Sequence, residues 1–380
     1  MSFSKKRIIR DGGLLIGVAV LVFVLLTFAT PEKKKVTSSI DLSKKYTVNS
    51  DFLDGYYYGG SFFESGKDDY ALLMNHRPHV EVFNVSLEGK NLKSFPVPND
   101  TDEGIHYLTK RDGAYFAVVQ VRGIHKYNEA GELVWVSKIG AHHDLGFDEH
   151  GNIYSFDIRP AKCDFPLGKV DCFLDHLVIL SPEGEEQVRF PLSHLFEPYL
   201  PKEVSTKTVE MWRRKLQRHD PFHVNSLYVL PRDVPGFGDK GDYLISVRDL
   251  DMIAVVSKDV SKLKWVYQTP RLEHQHHVRL TPDNLLTVFD NGVRRKRSRV
   301  LLIDPIKKEI VWKFSLRERE FYTQRHGSVE LLPNGNFLVS LGRRALMFEI
   351  TPQQQVAARF NLRTPDEPTL NPYRVGVIQR

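Results

Sequence analysis

From about residue 50 onward the chain is a succession of short apolar, β-branched runs broken by turns rich in Asp, Asn, Gly and Pro. That is the pattern of strands joined by tight connections. Three segments share one frame: HHDLGFDEHGNIYSFD from His142, HQHHVRLTPDNLLTVFDNG from His274 and RHGSVELLPNGNFLVSLG from Arg325. Each reads histidine, apolar strand, turn, second apolar strand. A fourth, FHVNSLYVLPRDVPGFGDKGDYLISVRD from Phe222, repeats the frame with a longer turn. After these hairpins come DHLVILSPEGEEQVRF, DMIAVVSKDVSKLKWVY and RVLLIDPIKKEIVWKF, each a further strand, turn and strand, with Trp265 and Trp312 near the ends of the last two. Four strands per unit at a period of roughly 40–50 residues is the signature of propeller blades. Two less regular units, YALLMNHRPHVEVFNVSLEGKNLKSFPV and AYFAVVQVRGIHKYNEAGELVWV, precede the series. The pattern predicts an all-β fold, a six-bladed β-propeller over residues 57–362, with a C-terminal tail over 363–380.

Two stretches depart from strand periodicity. Residues 193–220, SHLFEPYLPKEVSTKTVEMWRRKLQRHD, look like a partly helical insertion between the third and fourth blades. Near the start, Gly12 to Ala29 is almost unbroken apolar sequence, long enough to cross a bilayer as a helix. This predicts a tail over 1–11, a transmembrane anchor over 12–30 and a linker over 31–56 leading into the propeller. Lys5, Lys6, Arg7 and Arg10 face Lys33, Lys34 and Lys35 across the span, a slight lean towards a cytoplasmic N-terminus. The chain then reads as a single-pass membrane protein with its propeller on the periplasmic or extracytoplasmic side; a cleaved signal peptide is the alternative.

Cysteine and charge add little more. Cys163 and Cys172 lie in AKCDFPLGKVDC, a Pro-Gly loop that can fold back and bridge them. Such a bridge would stabilise by about 2–3 kcal/mol; two unrelated buried thiols are the alternative. The net charge of +6 suits an anionic small substrate or a membrane surface. Zinc-finger spacing and aromatic-basic RNA motifs are missing, so no nucleic-acid partner is expected.

The histidines carry the chemistry. In a propeller the innermost strand of each blade lines the central channel, so equivalent positions converge although far apart in sequence. By the repeat frame His143, His223, His276 and His326 begin four inner strands and aim imidazole at one opening. His142, His274 and His277 are flanking groups, because adjacent strand residues point to opposite faces. Arg248, after the second strand of the Phe222 unit, falls near the same mouth. The run VRRKRSR, residues 293–299, reads as a solvated hairpin tip, with Ser298 and Arg299 its ordered members.

The phrases HHD…GNIY, DPFHVNSLYVL, ISVRDLDMIAVV, HQHHVRL…LLTVFDNG…SRV and RHGSVELLPNGNFLVSLG together resemble the arylsulfotransferase family over roughly residues 105–350. The resemblance implies a six-bladed propeller that moves a sulfuryl group from a phenolic sulfate ester to another hydroxyl without a nucleotide donor or other cofactor. It implies His276, in the Gln-His pair, as a nucleophile that becomes transiently sulfated, and His223 as a second catalytic histidine. It implies Arg248 on the sulfuryl oxygens and His143 as a further active-site histidine, with His142 the fallback. His326, Asn225 and His142 are the expected substrate-binding residues. The partners implied are an aryl sulfate donor and a phenolic or other hydroxyl acceptor, small molecule or glycan, with the membrane engaged through the N-terminal helix. No metal ligands are assigned. Two other readings stay open: a non-catalytic binding or scaffolding propeller with structural histidines, and a metal-dependent propeller enzyme, since clustered neutral imidazoles bind zinc or copper.

Overall fold

The computed structural model describes residues 70–76, 81–86, 91–96, 105–165, 168–200, 220–317, 321–332, 334–344, 346–361 and 374–379. The expected anchor and linker, and most of the insertion, lie outside the described residues. Among the described residues no helix is long and apolar enough to cross a membrane.

The first strands are β1 (Tyr70–His76), β2 (Glu81–Ser86) and β3 (Asn91–Pro96). Five runs of four follow. They are β4–β7 (Ile105–Arg111, Ala114–Val119, Gly123–Tyr127, Leu133–Val136) and β8–β11 (Ala141–Phe147, Ile153–Phe165, Gly168–Leu180, Glu186–Pro191). Next come β12–β15 (Val224–Val229, Tyr243–Val247, Met252–Val256, Leu263–Gln268) and β16–β19 (His276–Leu280, Leu286–Asp290, Arg299–Asp304, Glu309–Phe314). The last run is β20–β23 (Ser328–Leu331, Phe337–Leu341, Leu346–Ile350, Val356–Asn361), and β24 (Val375–Gln379) ends the series. Each run of four is one antiparallel meander, so five blades are built from consecutive strands.

The fold is thus the expected all-β propeller, but among the described residues five blades are regular where six were expected. The remaining sheet is composite, in the order β24-β1-β2-β3. This corrects the expected C-terminal tail, because Val375–Gln379 pairs antiparallel with β1. The physical reason is the edge of β1, whose backbone N–H and C=O groups need a partner on that side. The strand β24 also touches β4 and β20, in the blades on either side.

The core is a set of layers between blades. Phe156 and Leu177 of β9 and β10 pack with Val224, Ile245 and Ala254 of the next blade. Leu244, Ile253 and Val255 pack with Val278, Val288 and Leu301, and Phe289 and Val300 with Val339 and Phe348. Outer-strand tryptophans tie blades together. The indole N–H of Trp265 donates to the carbonyl of Pro305 at 2.8 Å, and that of Trp312 to Pro352 at 2.8 Å. Trp135 packs over Gly184, where an added Cβ would lie 2.7 Å from the ring. The recurring Trp and the turn of the following blade are therefore one device used three times.

The bridge expected between Cys163 and Cys172 is present: residues 161–165 and 168–172 form the outer part of the long hairpin β9–β10, where the two are joined as a disulfide. The insertion opens with α1 (Ser193–Phe196), whose Leu195 and Phe196 are buried in the core beside Phe222.

Candidate active site

Inner strands of four consecutive blades begin at or beside His106 (β4), His143 (β8), His223 (before β12) and His276 (β16), and His326 stands two residues ahead of β20. Their backbone is irregular. Pairing shifts at Ile105/Tyr107, His142/Leu145, Val224/Ser226 and His276/Val278, so each of these strands carries a bulge at its start. φ is positive at His143 (62°), His223 (50°), His274 (54°), His277 (49°) and His326 (64°). Such conformations cost about 1–3 kcal/mol each and persist where the surroundings over-determine them. A bulge re-aims side chains, which is why simple alternation fails here.

The ring of His143 is the hub. It makes edge-on contacts with His106, His142 and His223 at centroid separations of 4.8, 5.0 and 4.7 Å. Its backbone N–H donates to Nδ1 of His106 at 3.0 Å, which places the His106 proton on Nε2 when the ring is neutral. Nδ1 of His143 lies 2.7 Å from Nδ1 of His142, and Nε2 lies 3.1 Å from Nε2 of His223. Beyond them, His142 Nε2 is 3.0 Å from Asp175, and His223 Nδ1 pairs with Asp220. Burial first, and then His223, His106, His142 and His276, push His143 well below the ordinary imidazole value. Burial would raise Asp220, but His223, His142 and Arg248 together outweigh it and hold this carboxyl at about 2.

His276 is buried, and its tautomer is fixed. The amide nitrogen of Asn291 donates to the carbonyls of Thr323 (3.1 Å) and His326 (2.8 Å). That orientation turns Oδ1 towards His276 Nδ1, 2.6 Å away, and the His274 carbonyl is 3.0 Å from the same nitrogen. With two acceptors facing it, Nδ1 carries the proton and the in-plane lone pair belongs to Nε2. Two glycines permit this arrangement. A Cβ on Gly292 (φ +66°) would lie 1.8 Å from the Arg297 carbonyl, and one on Gly327 (φ +117°) 2.3 Å from the Phe289 ring. Burial, then the charge of Arg248, then His326 and His223, drive His276 well below the usual value; only its bond to Asn291 opposes this. Arg248 opens a single 3₁₀ turn directly after β13. Its Nε donates to Asp249 at 2.7 Å, and its backbone N–H donates to the His223 carbonyl at 3.2 Å.

The structure therefore brings His143, His223, His276 and Arg248 within electrostatic reach of one another, and His326 beside His276. Other expected residues sit behind them. His142 lies between His143 and Asp175 and stacks on Phe156. Asn225 is buried and donates to the carbonyl of Gln275 at 2.8 Å. The side chain of Gln275 in turn donates to Ser246 (3.1 Å) and to the Met252 carbonyl (2.8 Å), seating the loop ahead of His276 in the neighbouring blade. His277 points away, to the Val329 carbonyl and Glu330. The run 293–299 is more than a solvated tip, for Arg295 and Arg299 both reach the buried carboxylate of Asp290.

Sequence reasoning missed His106, Asn291, Asp175 and Asp220. His106 obeys the repeat frame, but its strand ends Thr-Lys-Arg and hides the apolar signal. Just below the histidines lies a second constellation it also missed. Asp144 accepts from Arg279 at 3.1 Å, and Arg374 Nη1 stands 2.8 Å from its other oxygen. The Leu227 N–H adds a bond at 2.9 Å. Among the described residues no set of three or more His, Cys, Asp or Glu side chains is disposed to hold a metal ion.

The sequence model of the family described as arylsulfotransferase (ASST) matches residues 106–363. A search of curated proteins finds no match. Among solved structures, a Bacteroides caccae protein of unknown function aligns over 82% of this chain and 100% of its own, at 10% identity and a TM-score of 0.51. The virginiamycin B lyase of Staphylococcus aureus aligns over 70% of this chain and 73% of its own, at 11% identity and a TM-score of 0.42. At 10% identity the first of these shows a likeness of fold alone.

Proposed function

Because the chain belongs to the arylsulfotransferase family, we propose that it moves a sulfuryl group from an aryl sulfate ester to a phenolic or other hydroxyl acceptor, with His276 as the nucleophile. The observation that carries this reading is the Asn291 amide, which commits Nδ1 of His276 as a donor and so presents the lone pair on Nε2. Burial and Arg248 keep the ring neutral, as a nucleophile must be.

Sulfuryl transfer resembles phosphoryl transfer in asking mainly for positioning and for charge stabilisation. Nε2 attacks sulfur, an N–S bond forms, and the S–O bond to the phenol breaks. Arg248, oriented by Asp249, offers a planar fork to the sulfuryl oxygens. His223 supplies a proton to the departing phenolate. In the second step the acceptor hydroxyl attacks sulfur, its proton returns to the histidine cluster, and Nε2 is released. His143 and His326 flank the reacting group, and Asn225 acts through the Gln275 carbonyl to seat the nucleophile's loop.

The composite sheet serves as the sixth blade in this reading, supported by the contacts of β24 with both β4 and β20. The apolar run from Gly12 to Ala29 anchors the propeller to a membrane with the site on the extracytoplasmic side, a setting in which the disulfide is stable. The catalytic test is release of phenol from 4-methylumbelliferyl sulfate in the presence of a phenolic acceptor. His276→Ala is expected to fall to the background rate, whereas a variant as fast as wild type overturns the assignment.

A further inference from the structure

A row of four close polar contacts, two histidine–carboxylate pairs flanking two imidazole–imidazole hydrogen bonds, runs behind the proposed nucleophile. Asp175 meets His142 Nε2 at 3.0 Å, and His142 Nδ1 meets His143 Nδ1 at 2.7 Å. His143 Nε2 meets His223 Nε2 at 3.1 Å, and His223 Nδ1 meets Asp220. Each of these four links needs one hydrogen. Carboxylates bring none, and three neutral imidazoles bring three.

We propose that Asp175, His142, His143, His223 and Asp220 form a relay holding one proton beyond those of its neutral imidazoles, and that the departing phenolate takes this proton and the acceptor hydroxyl restores it. The idea rests on the sulfuryl-transfer reading above and extends it to positioning residues outside the reacting centre.

The proton count is consistent at every atom. With the extra proton on His223, its Nδ1–H faces Asp220 and its Nε2–H faces His143; His143 then donates from Nδ1 to His142, and His142 from Nε2 to Asp175. Sliding two hydrogens along the middle links moves the positive charge to His142 without turning a ring. In the first half-reaction an imidazolium N–H bond breaks and the phenol O–H bond forms, leaving three hydrogens in the row. In the second, the acceptor's O–H bond breaks as its oxygen joins sulfur, the N–S bond of His276 opens, and the fourth hydrogen returns.

The surroundings suit a charge at the His223 end. Asp220, on its own lead-in, stays anionic. Asp249 of the turn after β13 also feels His223 and is held low by Arg248 and His223 against its burial. From β10, Asp175 is raised by burial and by Asp220, which makes it the more basic end of the row. Arg248, in the turn after β13, and His276, on β16, also face this end, where Arg248 acts on both Asp220 and His276.

The experiment compares two donors. A phenolate as basic as tyrosine, with a pKa of about 10, needs a proton on leaving; 4-nitrophenolate does not. Asp220→Asn is expected to lower kcat/KM for phenyl sulfate by about 10²-fold, to leave 4-nitrophenyl sulfate largely untouched, and to move the alkaline limb for phenyl sulfate to lower pH. Asp175→Asn, at the far end, is expected to act in the same sense but less. Equal losses on both donors with an unmoved limb overturn the relay. Should either variant fail to fold, the wild type decides: a normal solvent deuterium isotope effect confined to phenyl sulfate supports the relay, and equal effects on both donors sink it. Failure of wild type to form a sulfated His276 from 4-nitrophenyl sulfate overturns the underlying reading instead, because that donor makes no demand on the relay.

Discussion

Two constellations share the same inner strands, only a residue or two apart, and they are built from opposite kinds of charge. In the first, His143 and His276 are held neutral by burial. One step below, Asp144 keeps its charge because Arg279 and Arg374 outweigh its burial. On β8 the change occurs between adjacent residues, His143 and Asp144. The lower group spans blades: Arg374 leads into β24, Asp144 lies on β8, Arg279 on β16, and Glu330 on β20 reaches His277. Permanent ions placed there lock the ring across its axis and cannot cycle. Neutral imidazoles above them can accept and return a proton. The contrast teaches that position along the strand separates the ion pairs that tie the blades together from the histidines proposed to react.

The strongest way to break the comparison is to remove one group from each set. His276→Ala is expected to abolish transfer and leave the melting temperature nearly unchanged, as measured by phenol release and calorimetry. Asp144→Asn strands two buried guanidinium groups and should cost about 3–5 kcal/mol of stability, seen as an earlier chemical-denaturation midpoint. An Asp144→Asn protein as stable as wild type would show that the lower ions are ornamental.

Smaller changes sharpen it. Asn291→Leu releases the His276 tautomer and is expected to lower kcat by about 10²-fold, measured by phenol release. The pH profile follows from the depressed His276. Its ring stays neutral as pH falls below the ordinary imidazole value of 6.5, so transfer should persist into mildly acid solution. Arg248→Met removes the second-largest cause of that depression and should move the acid limb upward, along with a lower kcat. The same depressed histidines make the unfolded chain the better proton acceptor, so stability should decline as pH drops through and below 6.5.

The smallest effect lies away from both sets. Glu349 of β22, buried against Asn334 and Asn336, is raised by burial to about 8. Its native state holds a proton that the unfolded chain gives up near 4.5, so this contribution is lost as pH rises from there to about 8. Glu349→Gln should therefore stabilise the protein at pH 8 and not at pH 4, measured by thermal melts.

Much of this was legible because a propeller repeats its grammar. The frame of histidine, strand, turn and strand placed His143, His223, His276 and His326 at equivalent points, and the tryptophans marked the outer strands. Where the grammar was diluted, the reading failed. β4 ends in polar residues and concealed His106. β24 lies at the opposite end of the chain from β1, and only the unpaired edge of that strand explains its place in a sheet. Asn291 looked like turn punctuation, although its amide fixes the tautomer of His276. Asp175 and Asp220 come from a third strand and the end of an insertion, and no spacing along the chain announces that they bracket the same imidazoles. Alternation predicted that one of His142 and His143 would face away; the bulge between His142 and Leu145 keeps both in one row.

The central claim is that Nε2 of His276 takes the sulfuryl group. The direct measurement is to mix the protein with 4-nitrophenyl sulfate without acceptor, quench, digest and locate the added mass by fragment-ion spectrometry. The account predicts one sulfuryl group on His276, formed in step with the first burst of nitrophenol and discharged when a phenol is added. A burst with the label on any other residue, or turnover with His276 unmodified throughout, would contradict it.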